Sequence, residues 1–90
     1  MLKIVMSNQF KKDLKLASRR GYNLDLLDAV VTKIAAGESL PKKNRDHELT
    51  GDYAGFRECH IQPDWLLIYK IDNNELILFL SRTGTHSDLF

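Results

Sequence analysis

Apolar positions recur along this chain with two different periods, and the switches between them lay out the elements. At the N-terminus Leu2, Ile4 and Met6 alternate with Lys3 and Val5, which predicts a short first strand. Phe10, Leu14 and Ala17 then recur at i, i+4 and i+7, with Lys11, Lys12, Lys15, Arg19 and Arg20 largely off that stripe. This spacing predicts a basic amphipathic helix, capped by Ser7 or Asn8 and ended at Gly21. Asn23 or Asp25 opens a second helix, whose apolar face is Leu24, Leu27, Val31, Ile34 and Ala35 and which Gly37 ends. So few residues separate the two helices that they form an antiparallel hairpin.

Residues 38–52 keep neither period and contain Pro41, Lys42, Lys43, Asn44 and Arg45, which predicts a long loop of the kind that is often functional. Three strands follow at hairpin spacing, roughly residues 54–62, 65–71 and 75–82. Pro63-Asp64 makes the first turn between them and Asp72-Asn73-Asn74 the second. The order β-α-α-β-β-β predicts a two-layer α+β domain: an N-terminal strand and an antiparallel helix hairpin packed on an antiparallel meander sheet. Strand alternation puts Phe56, Glu58 and His60 on one face of the first meander strand and Arg57, Cys59 and Ile61 on the other. In the last strand Leu76, Leu78, Leu80 and Arg82 share a face, so Arg82 leaves the core as the strand ends.

Ninety residues make one domain, 1–90, with no repeat, low-complexity tract or linker. An apolar content of 43% is ample for one core, although a chain this short buries only about 60–65% of its unfolded surface. Cys59 stands alone, which excludes an intramolecular disulfide and points to a reducing, cytoplasmic setting. No apolar run approaches the ~20 residues that span a bilayer, and no signal peptide is apparent. The net charge of +1 conceals an asymmetry: residues 1–45 carry ten Lys/Arg against four Asp/Glu, and residues 46–90 carry three against eight. A basic first half suits a polyanion or an acidic protein partner, or it solvates a helix face.

All three histidines lie in the second half. His47, His60 and His86, with Asp64 and Arg82, fall at strand ends and in the adjoining loops. Metal-free RNA cleavage needs a base for the 2′-hydroxyl proton, an acid for the leaving 5′-oxygen and a cation for the charge on phosphorus. Imidazoles suit the first two roles and an Arg fork the third. Asp64 either orients a histidine or accepts a proton itself, and Trp65, Tyr53, Phe56 and Phe90 can stack on bases. The spacings of the histidines match no tight metal-ligand motif, so no metal and no other cofactor is expected. Cys59 sits in an ordinary strand pattern and reads as a small hydrophobe rather than a nucleophile.

Three stretches carry a resemblance: Asp46-His47-Glu48-Leu49-Thr50-Gly51, residues 55–69 from Gly55 to Tyr69, and Arg82-Thr83-Gly84-Thr85-His86-Ser87-Asp88-Leu89-Phe90. They resemble the YafQ-like branch of the RelE/ParE toxin superfamily, and the likeness covers essentially the whole chain. It implies a microbial-ribonuclease-like fold and a ribosome-dependent endoribonuclease that cuts mRNA in the ribosomal A site. It also implies neutralisation by a cognate RelB/DinJ-like antitoxin, with DNA reached only through that complex. Carried over, it places His47, His60, Asp64, Arg82 and His86 in the active site, with Trp65 and Phe90 beside it as stacking surfaces. His86 is then the acid, Arg82 stabilises the phosphorane, and Asp64 or His47 is the base. Lys11, Lys12, Lys15, Arg19, Arg20, Lys42, Lys43 and Arg45 are the expected contacts to RNA phosphates. The rival from another class is a non-catalytic, ParE-like inhibitor that binds a protein such as gyrase, and the acid–base set counts against it.

Overall fold

A computed structural model describes residues 1–90. Its elements are β1 (Lys3–Met6), α1 (Asn8–Arg19), α2 (Leu24–Ala35), β2 (His47–Glu48), β3 (Arg57–Gln62), β4 (Trp65–Asp72), β5 (Ile77–Gly84) and a final short helix, α3 (His86–Leu89). The five strands form one sheet in the order β1-β5-β4-β3-β2. β3, β4 and β5 are the expected antiparallel meander, but β1 runs parallel to β5 along the sheet edge. The sheet is therefore mixed, because α1 and α2 act as the crossover that parallel neighbours require. The expected long loop holds two single 3₁₀ turns, Lys42–Asn44 and Gly51–Tyr53, with the two-residue strand β2 between them.

Capping follows the sequence closely. Ser7 Oγ accepts from the Phe10 amide at the start of α1, and Asn23 Oδ1 accepts from the Asp25 amide at the start of α2. The Ser7 hydroxyl also donates to the Ser81 carbonyl, fixing the start of α1 against β5.

The helices cover one face of the sheet. There Phe10, Leu27, Val31 and Ile34 pack on Cys59, Trp65, Leu67, Tyr69, Leu78 and Leu80. On the other face Leu66 and Ile68 form a smaller cluster with Leu89 of α3, flanked by Leu49, Tyr53 and Phe56. β4 is thus buried on both faces, which is why it reads as a continuous apolar run rather than an alternation.

A bulge in β5 overturns one expectation. Tyr69 pairs with Leu80 but Ile68 pairs with Arg82, so Ser81 is an extra residue and the alternation reverses there. Leu78 and Leu80 face the helices; Arg82 falls on the opposite face, with Ile68 and Glu58, and Leu76 lies outside the strand. The bulge re-aims Arg82 away from the leucines that precede it. Thr83 returns to the helix side, where its hydroxyl accepts from Trp65 Nε1 at 2.9 Å and donates to the Leu66 carbonyl at 2.7 Å.

Candidate active site

The sheet face opposite the helices gathers the titratable groups. His47 of β2 pairs in register with Glu58 of β3, and both lie on the same side as His60, two residues along. The turn after β3 carries Asp64, and β5 ends at Gly84 so that α3 starts with His86 beside it. Gly84 leaves room for the cap of α3, since a Cβ there would lie 3.0 Å from the side chain of Asp88 and press on it. α3 is then fixed by a reciprocal cap, in which Thr85 Oγ1 accepts from the Asp88 amide and Asp88 Oδ2 accepts from the Thr85 amide.

All three histidines are wired in the same way. His86 donates Nδ1–H to Asp64 Oδ1 at 2.6 Å, and its backbone amide donates to the same oxygen at 3.0 Å. His60 Nδ1 donates to the Pro63 carbonyl at 3.2 Å, and His47 Nδ1 donates to the Arg45 carbonyl at 2.7 Å. A carbonyl can only accept, so each Nδ1 carries the proton and each Nε2 is the nitrogen left for chemistry. Those of His60 and His47 face the buried carboxylate of Glu58, at 3.6 and 3.8 Å, longer than a hydrogen bond. The His60 and His86 rings lie 5.7 Å apart between centroids. The Asp64 carboxyl is held below its ordinary value, first by the backbone amide of His86 and then by its imidazole. It is committed as an ionised acceptor that fixes the His86 ring.

Arg82 is held rather than free. Its Nε donates to Asp13 Oδ2 at 2.9 Å and its Nη2 to Asp13 Oδ1 at 3.2 Å, and this pairing raises the guanidinium pKa, with Tyr53 adding to the effect. Phe90 is exposed and stands edge-on to Tyr53, with centroids 5.7 Å apart, so an aromatic surface of Phe90, Tyr53 and Phe56 lies on the same side of the sheet.

One of the expected assignments is corrected by burial. Trp65 is 1% exposed, packed on Tyr22 beneath the helices with its indole N–H satisfied, so it is core and no base can stack on it. Arg20 donates from Nη1 and Nη2 to the Asp88 carboxylate at 2.6 and 3.2 Å and ties the end of α1 to α3, which leaves its other N–H groups exposed. Lys11, Lys12, Lys15 and Arg19 are exposed along α1, and Lys42, Lys43 and Arg45 are exposed beside β2. Lys43 and Arg45 join His60, Gln62 and Pro63 around an open cleft of about 510 Å³. Cys59 is fully buried, and loss of solvent pushes its thiol up to about 12, which leaves it unreactive.

Two residues were missed. Glu58 belongs to the site because two histidines face it, and its place two residues before His60 on one strand was the available signal. Asp13 was detectable as a carboxylate lying within the apolar stripe of α1, three residues after Phe10 and four before Ala17.

The donor set of Glu58, His60 and His86 also suits a metal ion. One carboxylate oxygen and two ring nitrogens lie within 4.8 Å of one another. Ligands about 2.0–2.2 Å from one zinc stand at most about 4.4 Å apart, so a small rotation of the exposed His86 ring closes the set. Imidazole and carboxylate fit zinc or copper, and Asp64 behind His86 Nδ1 is the outer carboxylate that metal-bound histidines usually have.

Fold and side chains together define a small α+β domain with three histidines and two carboxylates gathered on the sheet face away from its helices. The sequence model of the family described as "Bacterial toxin of type II toxin-antitoxin system, YafQ" matches residues 2–90, and the chain belongs to that family. It is 40% identical over 88 residues to the mRNA interferase toxin YafQ of Escherichia coli K12, covering 97% of this chain and 94% of that one. A metal-bound toxin from Helicobacter pylori is 48% identical, with a TM-score of 0.95 over the full length of both chains. YafQ from the E. coli DinJ–YafQ complex is 40% identical, with a TM-score of 0.89 over 100% of this chain and 99% of that one.

Proposed function

We propose that this protein is a ribosome-dependent endoribonuclease toxin that cuts mRNA in the ribosomal A site by acid–base chemistry and is silenced by a DinJ-like antitoxin. The observation that carries this reading is the shared wiring of the histidines: three Nδ1 atoms tied to oxygen acceptors on one sheet face, with Nε2 of His86 left open and those of His60 and His47 turned toward Glu58. His86, oriented by Asp64, protonates the leaving 5′-oxygen. Asp64 accepts two hydrogen bonds and stays ionised, so it orients rather than abstracts. The base is His60, whose Nε2 lies beside the Glu58 carboxylate that stabilises the imidazolium once it forms, and His47 faces the same carboxylate. Arg82 offsets the charge that develops on phosphorus, and Phe90 stacks on a base beside the scissile bond.

The open cleft offers little to hold a flexible RNA, and positioning is worth several kcal/mol in such reactions. The ribosome supplies that positioning, which also places the toxin in the cytoplasm, and no helix is long and apolar enough to cross a membrane. Incubating the protein with one mRNA, naked or programmed on ribosomes, and mapping the 5′ ends tests this. Cuts on programmed mRNA alone are expected; cuts on naked RNA would make it a free ribonuclease, and cuts on neither would favour a binding inhibitor of the ParE type.

A second reading rests on the convergence of Glu58, His60 and His86, and on the metal-bound state of the H. pylori relative. These three residues would hold a zinc or copper ion, which supplies Lewis-acid stabilisation of phosphate charge when bound. A His86 that ligates cannot also deliver its proton from Nε2, so the two readings diverge in the same assay. Inhibition by added zinc supports proton transfer, and loss of cutting on chelation with rescue by zinc supports the ion.

The exposed Lys11, Lys12, Lys15 and Arg19 on α1, with Lys42, Lys43 and Arg45, are the contacts to ribosomal RNA phosphates. Reversing Lys11 and Lys12 to Glu is expected to weaken ribosome binding and to flatten its salt dependence by roughly one unit of log–log slope per lost contact. Sedimentation binding across a salt series checks this, and an unchanged slope would exclude that surface.

A further inference from the structure

We infer that Asp13 is a positioning residue of the cleavage reaction, which holds the Arg82 guanidinium in a fixed attitude at the site and so sets the rate of the chemical step. The inference rests on the reading of Arg82 as the phosphate-stabilising cation.

Asp13 is 8% exposed, on a helix face that is otherwise apolar around Phe10 and Ala17. A carboxylate there loses solvation that only strong partners can replace. It has four. Arg82 donates from Nε and Nη2, the Thr83 amide donates to Oδ2 at 3.1 Å, and Gln9 Nε2 donates to Oδ1 at 3.1 Å. Both oxygens are fully used, and their two strongest partners are consecutive residues immediately after the Ser81 bulge.

The bulge turns Arg82 toward the face that carries Glu58 and the histidines, but it leaves a long flexible side chain to be ordered. Asp13 supplies that order with a two-point grip on one edge of the guanidinium. Arg carries five N–H donors in a rigid fork, so a grip that takes two leaves three for a phosphate. The other edge of the fork is thereby presented, with its rotation about the side chain already spent before substrate arrives. Pre-ordering of this kind acts on the transition state rather than on encounter, since charge on phosphorus grows only as the bond breaks. A free arginine would serve binding equally well and the chemical step less well.

The expected signature is therefore a loss in the maximal rate with little change in apparent affinity for programmed ribosomes. Asp13→Asn keeps the shape of the side chain but turns an amide N–H₂ toward donors. Single-turnover cleavage at saturating ribosomes is expected to fall at least tenfold, with the half-saturating concentration moved less than twofold. Thermal denaturation of the same sample reports its folding. Asp13→Glu retains the charge and displaces the carboxylate by one methylene; it provides the same rate measurement should the Asn variant not fold, with a fivefold or greater loss expected. Each change is then repeated in an Arg82→Ala background, where a residue that acts through Arg82 has less than a twofold further effect.

A rate within twofold of wild type in a folded Asp13 variant would overturn the inference, and so would a full loss that persists in the Arg82→Ala background, since Asp13 would then act through Thr83 and the fold. Arg82→Ala cutting at the wild-type rate is a different failure, because it removes the role of Arg82 itself and Asp13's with it.

Discussion

Alanine at His86 is expected to abolish cutting on programmed ribosomes, with a loss of about 10²–10⁴-fold for removal of one general acid. The fold should hardly register the change. The His86 side chain is 54% exposed, α3 is capped through Thr85 and Asp88 rather than through the imidazole, and the His86 backbone amide still donates to Asp64 after substitution. Mapping of 5′ ends alongside a thermal melt separates the two effects. Loss of cleavage with an unchanged melting temperature supports a chemical role for His86, which the zinc and chelation assay assigns to proton transfer or to ligation; cleavage that persists would move the acid role to His60 or His47. His86→Asn discriminates further, because an amide can keep a hydrogen bond to Asp64 yet carries no titratable proton.

The second large effect concerns stability. Trp65→Ala removes the largest fully buried side chain and leaves Thr83 without the indole N–H that donates to it. Truncations of this size cost about 3–5 kcal/mol, a large part of the roughly 5–15 kcal/mol by which a small domain is stable. At about 4–8 °C per kcal/mol for a domain of this size, the melting temperature is expected to fall by at least ~12 °C. Trp65→Phe keeps an aromatic ring against Tyr22 but loses the hydrogen bond and part of the buried volume, so its melting temperature falls between those of wild type and Trp65→Ala. A Trp65→Ala protein that melts normally yet fails to cut would restore the base-stacking role that its burial removes.

The helices and meander were legible because each carries a clean local signal: an apolar stripe with a Ser7 or Asn23 cap, or an apolar run or alternation bounded by turns at Pro63 and Asp72. The parallel placement of β1 was not, since pairing across more than seventy residues leaves no trace in a six-residue pattern. The histidines could be singled out because the chain has only three, and Asp64 and Arg82 because they fall with them at strand ends and turns. Their internal order could not, because it depends on the Ser81 bulge, which moves Arg82 to the other face through one unpaired residue. Trp65 misled for a related reason. A strand buried on both faces has no alternation, so nothing local says which side its aromatic takes. Glu58 and Asp13 are single carboxylates whose importance lies wholly in partners that sequence distance hides.

The two guanidinium–carboxylate clamps from α1, Asp13 to Arg82 and Arg20 to Asp88, join residues 69 and 68 positions apart. Synthesis proceeds from the N-terminus, so α1 emerges with both of its gripping groups long before there is anything for them to grip. The first clamp cannot close until residue 82 has cleared the exit tunnel, and the second not until residue 88 has. A nascent chain of this protein therefore holds Arg82 and α3 unclamped until its last residues have been made and released.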